Sequence, residues 1–173
     1  MSKCDLTKYV LKGIFSDLVI PERVHVPGAH GGHLTIIPKN HVAGKQDLRD
    51  DQILEMNTMS RLARTILRYC FRASACEELA RDSNTIGHPL EPLTTHINIY
   101  GRSDGHKIDL EKIDTDPEFK GYPYNPIQFW DIKAAARQLV FDENAAPESI
   151  KRYSRHLLSE VQHMAGMDIP RYG

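Results

Sequence analysis

The chain has 173 residues, of which 40% are hydrophobic and 26% charged, and this matches one soluble globular domain with an appendage. Its formal net charge of −1 excludes an overall positive field of the kind that attracts polyanions. Any phosphate group must therefore be bound by a local site, and no specific nucleic-acid partner is expected.

The sequence predicts no targeting or membrane-spanning segment. No basic start is joined to an apolar stretch of signal-peptide length, and no apolar stretch approaches the roughly 20 residues needed to cross a bilayer. Cys4, Cys70 and Cys76 are odd in number and include no C-x-x-C pair, which argues against a disulfide framework and a thiolate zinc site. We therefore expect a cytoplasmic protein with reduced thiols and no membrane partner.

The first forty residues predict a short helix followed by a hairpin. The helix is expected between Leu6 and Phe15. In "ERVHVPGAHGGHLTIIPKNHV", Val24 and Val26 alternate with polar neighbours, glycines follow, and a β-branched run then ends at Pro38. This pattern indicates two extended segments joined by a turn rich in glycine and histidine.

The segment "DLRDDQILEMNTMSRLARTILRYC" predicts the main helix, from Asp50 to Cys70. Its apolar residues recur at spacings of three and four: Met56, Met59, Leu62, Ala63, Ile66, Leu67 and Cys70. That face must cover a sheet, so we interpret its methionines and leucines as core.

The last fifty residues predict further helices. Both "PIQFWDIKAAARQLVF" and "PESIKRYSRHLLSEVQHM" have helical apolar spacing, and Pro147 suits the first turn of the second. We therefore divide the chain into a domain at residues 1–120 and a helical C-terminal extension at residues 121–173, which packs either on that domain or on a partner.

The stretch "TTHINIYGR" reads as a strand with one polar face. Side chains alternate along a strand, so Thr95, Ile97 and Ile99 share the apolar face. The other face holds Thr94, His96, Asn98 and Tyr100. This polar face is either a site, the remnant of one, or the wet side of a half-buried sheet.

Histidines near a glycine-rich turn suggest either a metal site or a phosphate-handling site. The neighbours of His96 on its own face, Thr94 and Asn98, are poor zinc ligands, so no metal is expected. A neutral imidazole can instead attack phosphorus while nearby donors hold the phosphoryl oxygens. His96 has a hydroxyl and an amide beside it for that purpose.

Four residues of "GGHLTIIPKNHV" have a specific spacing: His33, Pro38, Lys39 and His41. The segment resembles the first signature of the histidine triad superfamily, in which a histidine precedes an apolar strand ending in I-P-K and a second histidine follows closely. The matching residues occupy each of its defining positions.

The second signature of that superfamily is a strand with three alternating histidines and a following arginine, preceded by a glycine-bearing loop with an asparagine. When Arg102 is placed on that arginine, the histidine positions hold Thr94, His96 and Asn98, and Asn84 falls near the loop asparagine. The resemblance covers residues 23 to 102.

The resemblance implies an α+β fold with an antiparallel sheet, a covering helix and a homodimer. It implies a nucleotide phosphohydrolase or nucleotidyl transferase that acts at an α-phosphate through a covalent nucleotidyl-histidine, without metal or other cofactor. The ligand would be a nucleotide or nucleotide conjugate. His96 would be the nucleophile, because the middle histidine has that role in the family.

The remaining site residues follow from the same resemblance. Thr94 and Asn98 would hold phosphate oxygens and complete the catalytic set. The nucleotide-binding residues would be His33, which either orients the site or contacts the nucleotide, together with His41, Asn84 and Gly87.

Two of the three family histidines are absent. Thr94 lacks the reach and charge of an imidazole, and Asn98 cannot deliver a proton at neutral pH. The related nucleotidyl-transferring branch, which includes galactose-1-phosphate uridylyltransferase and diadenosine tetraphosphate phosphorylase, has an amide at the third position but usually keeps the first histidine. The alternatives are therefore a catalytically inactive nucleotide-binding module and an interaction protein that works through its C-terminal helices.

Overall fold

The computed structural model describes residues 9–82, 94–103, 105, 110–116 and 118–141. In chain order these residues form β1 (Tyr9–Lys12), β2 (Ser16–Val19), β3 (Arg23–Val24), β4 (His33–Pro38), α1 (Asp50–Phe71), β5 (Ala75–Arg81), β6 (His96–Arg102), α2 (Leu110–Thr115), β7 (Tyr122–Pro123) and α3 (Pro126–Phe141). None of the helices in these ranges is long and apolar enough to cross a membrane.

Five strands form one antiparallel sheet in the order β1-β2-β4-β6-β5. The main core lies between this sheet and helices α1 and α3, and it contains Ile36 of β4 and Ile97 and Ile99 of β6. The expected α+β fold with a covering helix is confirmed. The apolar face of the "TTHINIYGR" strand is the face that meets the helices.

The covering helix α1 follows the apolar spacing that predicted it. Met59, Ala63 and Ile66 have no exposed surface and share the main core with the sheet. At its start, the N–H of Arg49 donates to Oε1 of Gln52 at 2.9 Å, which satisfies a backbone group that the helix itself leaves unpaired.

The predicted hairpin around Val24 is wrong. Strand β3 pairs with β7, about one hundred residues later, while β4 pairs with β2 and β6. Between β3 and β4 the chain forms a 3-10 turn at Gly28–His30, in which the N–H groups of His30 and Gly32 both donate to the Pro27 carbonyl. This turn places β4 beside other strands instead of beside β3.

The predicted helix over Leu6 to Phe15 is also wrong, because β1 and β2 form a hairpin there. A residue far away in the sequence holds its turn. The carboxylate of Glu55 on α1 accepts hydrogen bonds from the N–H groups of Ile14 and Phe15 at 2.6 and 2.7 Å. Local residue pattern contains no information about this contact.

Helix α3 lies where the sequence predicts the first helix of the C-terminal extension. Phe129, Ile132 and Ala136 belong to the main core, so α3 packs on the sheet domain through α1 and β1. The second predicted extension helix, around Pro147, lies outside the described residues.

Candidate functional site

The sheet face away from α1 holds a buried polar cluster on β4 and β6. In the strand register His33 lies opposite Tyr100, and Thr35 lies opposite Asn98. Directly opposed residues of antiparallel strands point to the same side of the sheet, so this pairing joins the polar faces of the two strands. His33, Thr35 and Asn98 are buried. The polar face predicted for the "TTHINIYGR" strand is therefore part of a two-strand cluster.

The amide of Asn98 has one defined orientation. Its Oδ1 lies 2.9 Å from Nε2 of His33 and accepts a hydrogen bond from Oγ1 of Thr35, also at 2.9 Å. Its Nδ2 atom is buried and has no hydrogen-bond partner among the residues that the structure describes. Because the oxygen is occupied by two donors, Asn98 presents its N–H groups to any bound molecule.

The hydrogen bonds of His33 determine which of its ring nitrogens carries the proton. Nδ1 accepts from the backbone N–H of His25 at 3.1 Å, so in the neutral ring Nε2 carries the proton and donates to Asn98. Burial, and secondarily the nearby His25, hold the pKa of His33 well below its usual value of 6.5. His33 is thus a neutral donor at physiological pH.

The ring of His33 is enclosed by other rings. His25 stacks on it with centroids 5.1 Å apart, and Tyr100 lies at 4.6 Å. Since both ring nitrogens are engaged within the chain, His33 is placed to orient Asn98, the first of the two roles that the sequence left open for it.

His96 lies at the start of β6 and has no exposed surface. Its Nδ1 atom is 2.8 Å from the carbonyl oxygen of Thr94. A carbonyl only accepts hydrogen bonds, so Nδ1 carries the proton and Nε2 of the neutral ring carries the lone pair. This is the tautomer that a nucleophilic imidazole needs.

The hydroxyl of Thr94 is engaged with the backbone of Val42 and does not face an open site. Its hydroxyl accepts from the N–H of Val42 and donates to the Val42 carbonyl, both at 3.0 Å, and the N–H of Thr95 donates to the same carbonyl. The single hydroxyl proton of Thr94 is therefore used. A contact from Thr94 to a phosphate oxygen would require this bond to break.

The other predicted site residues are either exposed or outside the residues that the structure describes. His41 is exposed just before Val42. Asn84 and Gly87 lie outside the described residues. Among the residues that are described, no group of three or more His, Cys, Asp or Glu side chains is arranged to hold a metal ion.

Three residues within or beside the cluster were not predicted from the sequence. Thr35 follows His33 by two positions and so shares its face, which the strand period could have shown. His25 belongs to the segment that was predicted as a hairpin, and it contacts His33 from the position directly after β3. Arg81 on β5 lies directly opposite His96, and it was missed because β5 itself was not predicted.

A cavity of about 190 Å³ opens near the start of β4. Ile20, Val24, Phe71 and Ile132 form its apolar wall, and His33 is part of its lining. His96 is not among its lining residues, so the cavity does not reach the His96 ring.

No family model matches the chain, and no curated protein matches its sequence. Three solved structures are similar in fold. They are a zinc-bound histidine triad family protein from Mycobacterium smegmatis (TM-score 0.57, 17% identity, 76% of this chain and 84% of that chain), a hypothetical histidine triad nucleotide-binding protein from Sulfolobus tokodaii (0.56, 16%, 76% and 81%) and Plasmodium falciparum diadenosine triphosphate hydrolase in complex with Cyclomarin A (0.58, 15%, 78% and 79%). At 15–17% sequence identity, structural similarity shows that the backbones are arranged alike. This chain therefore has the fold of the histidine triad proteins.

Proposed function

We propose that the protein is a nucleotide phosphohydrolase or nucleotidyl transferase that acts at an α-phosphate. Nε2 of His96 forms a bond to the α-phosphorus, the bond to the leaving group breaks, and a nucleotidyl-histidine results. Water or another acceptor then attacks the phosphorus and releases the nucleotide from Nε2. The observation that carries this proposal is the 2.8 Å bond from Nδ1 of His96 to the Thr94 carbonyl, which leaves the lone pair on Nε2.

Asn98 supports the same reaction as a donor. Its Nδ2 group is held in place by His33 and Thr35 and can bind a phosphoryl oxygen as charge accumulates there. An amide cannot protonate the departing oxygen. The substrates that this site suits best therefore have leaving groups that need little protonation, such as a nucleotide or pyrophosphate.

Intact-protein mass spectrometry tests the proposal. The protein is incubated at neutral pH with nucleoside phosphoramidates, dinucleoside polyphosphates and nucleotide sugars, and released nucleotide is assayed in parallel. Wild type is compared with His96→Ala and with His30→Ala, which removes an exposed histidine of the glycine-rich turn. A nucleotidyl adduct or nucleotide release that is lost only in His96→Ala supports His96 as the nucleophile. Equal turnover by His96→Ala would overturn it.

The second candidate function is a nucleotide-binding module without catalysis. It is favoured by two observations: the Thr94 hydroxyl is occupied by Val42, and His96 has no exposed surface. A substrate reaches His96 only if the residues covering it move. Nucleotides that raise the melting temperature without adduct or turnover would establish this second function for the substrates tested.

The proposal also includes the nucleotide contacts at His41, Asn84 and Gly87, a homodimer and a cytoplasmic location. Two of the similar solved proteins are described as a nucleotide-binding protein and a diadenosine triphosphate hydrolase, which supports a nucleotide or nucleotide conjugate as the ligand. Light scattering after size-exclusion chromatography distinguishes a dimer near twice the 19.7 kDa chain mass from a monomer.

A further inference from the structure

Arg81 is the last residue of β5 and lies directly opposite His96 in the antiparallel register. Opposed residues share one side of the sheet, and their Cβ atoms are separated by about 4.5–5.5 Å. The alternation of side chains between the two faces of β5 also places Arg81 on the face of His96. Leu79, two residues earlier and opposite Asn98, packs against the hydrophobic cluster that contains Tyr100 of the site face. Arg81 therefore belongs to the same face as the proposed nucleophile.

Arg81 is also held in place. Only 6% of its surface is exposed, and its carbonyl accepts a hydrogen bond from the Thr95 hydroxyl at 3.0 Å, which fixes the end of β5 against β6. Arginine keeps its charge at any physiological pH. Its five N–H donors allow a guanidinium to keep a partner within the chain and still bind an anionic oxygen.

The other polar side chains around His96 contribute no positive charge. Thr94 and Asn98 are neutral, and the pKa of His33 is held low by its burial. A phosphoryl group that arrives at His96 brings negative charge into a buried face, where an unpaired charge is unfavourable. A buried cation beside His96 meets this requirement, and guanidinium is the side chain best matched to phosphate.

We propose that Arg81 is a catalytic residue that binds the non-bridging oxygens of the phosphoryl group attacked by His96, and that it supplies the charge which Thr94 and Asn98 do not. This inference rests on the proposed function for its reaction, but phosphate binding by Arg81 can be measured without turnover. It further restricts the ligand class to molecules with an anionic phosphoryl group, so the nucleoside alone gains nothing from Arg81.

The experiment is a calorimetric comparison of ribonucleosides with their 5′-monophosphates. The proteins are wild type, Arg81→Gln, Arg81→Lys and the matched control Arg102→Gln. Arg102 lies on the same face at the other end of β6 and is paired with Glu77 at 3.6 Å. Circular dichroism and melting temperature establish that each variant is folded, and Arg81→Lys, which keeps the charge, provides a second variant if Arg81→Gln unfolds.

Wild type is expected to bind a monophosphate more tightly than its nucleoside. Arg81→Gln should weaken monophosphate affinity by about tenfold or more while nucleoside affinity stays within about twofold. Arg81→Lys should retain an intermediate affinity, and Arg102→Gln should bind as wild type does. Equal monophosphate affinity in wild type and in folded Arg81 variants would overturn the role of Arg81.

The mass-spectrometric assay separates the two hypotheses. If wild type forms no adduct but Arg81→Gln loses phosphate-dependent affinity, the catalytic function fails and the phosphate-binding role of Arg81 stands. If the Arg81 variants form the His96 adduct as fast as wild type, the function stands and Arg81 has no role in it. If wild type neither turns over nor binds any of the phosphates, both are overturned.

Discussion

Nε2 of His33 donates a hydrogen bond to Oδ1 of Asn98 across 2.9 Å, although the two residues are 65 positions apart in the chain. Because the backbone N–H of His25 occupies Nδ1, the ring can offer only a donor to the amide. The imidazole of the first signature therefore fixes which end of the Asn98 amide faces the site. In this chain the first signature orients the second through a neutral hydrogen bond.

Thr35→Val tests the second bond to that amide. The substitution keeps the branched shape but removes the hydroxyl that donates to Oδ1 of Asn98 at 2.9 Å. We expect the free energy of unfolding to fall by about 1 kcal/mol. Affinity for a nucleoside monophosphate should fall about threefold to tenfold, because an amide held by one bond can turn its oxygen towards the phosphate.

Urea denaturation and calorimetry measure these two effects. Thr65→Val is the control, since the Thr65 hydroxyl bonds to the carbonyl of Arg61 on the exposed side of α1. If Thr35→Val changed stability and left monophosphate affinity unchanged, the amide orientation would have no bearing on the ligand.

The low pKa of His33 predicts acid sensitivity of the fold. The folded chain keeps His33 neutral, whereas the unfolded chain binds a proton there below the usual pKa of 6.5. The stability associated with neutral His33 is therefore complete above pH 6.5 and is lost as the pH falls from 6.5 towards the lower folded-state pKa. In that range the free energy of unfolding falls by up to about 1.4 kcal/mol per pH unit.

Urea denaturation of wild type and His33→Gln between pH 7.5 and 5 measures this slope. The Gln side chain does not titrate, so the variant should show a flatter dependence on pH, although it is less stable at pH 7.5. His30→Ala, which removes an exposed histidine of the glycine-rich turn, is the control variant. Parallel curves for wild type and His33→Gln would contradict the assignment of the pH dependence to His33.

The strand of His96 and the helix α1 could be predicted from sequence because each one has a complete local pattern. Alternation along residues 94 to 102 separated Ile97 and Ile99 from the polar residues, and spacings of three and four identified the face of α1. These two elements face each other across the core, and they are the strand and the covering helix of the α+β fold that the family resemblance implies.

The other strands and the rest of the site could not be predicted, because they depend on contacts between residues that are far apart in the sequence. The turn after β1 is held by Glu55, and β3 is paired by β7, neither of which a local window contains. Strand β5 was missed because "ACEELAR" has two adjacent glutamates and no alternation of apolar with polar residues, as suits an edge strand with little buried surface. Without β5, Arg81 could not be placed beside His96.

Glu55→Ala tests the contact that replaced the predicted N-terminal helix. Its carboxylate accepts from the N–H groups of Ile14 and Phe15, and its loss leaves both donors without that acceptor. We expect the free energy of unfolding to fall by about 2–4 kcal/mol, since hydrogen bonds to a charged group are stronger than neutral ones. Glu22→Ala, at an exposed carboxylate, should change it by less than about 0.5 kcal/mol.

Amide hydrogen exchange gives Glu55→Ala a local measurement. Protection should fall first at the turn between β1 and β2 and much less at β6, because the turn is the segment that Glu55 holds. Wild-type protection at Ile14 and Phe15 in Glu55→Ala would show that another group fixes this turn.

Gly101→Ala tests how the glycine-rich turn sets the position of His33. A Cβ on Gly101 would meet the carbonyl of Gly31, and backbone cannot move aside as a flexible side chain can. The same contact carries two hydrogen bonds, from the Gly101 N–H to Gly32 and from the Ser103 N–H to His30, both at 2.9 Å. We expect about 1–3 kcal/mol of destabilisation.

Gly44→Ala is the matched control, because the three atoms nearest to its Cβ all belong to the flexible side chain of Gln46. The site should respond to Gly101→Ala beyond the loss of stability, since displacement of Gly32 moves the adjacent His33 and with it the Asn98 amide. Monophosphate affinity should therefore fall in folded Gly101→Ala and stay unchanged in Gly44→Ala. Loss of stability with full affinity would mean that His33 keeps its place without the turn, and that strand β4 alone positions the ring.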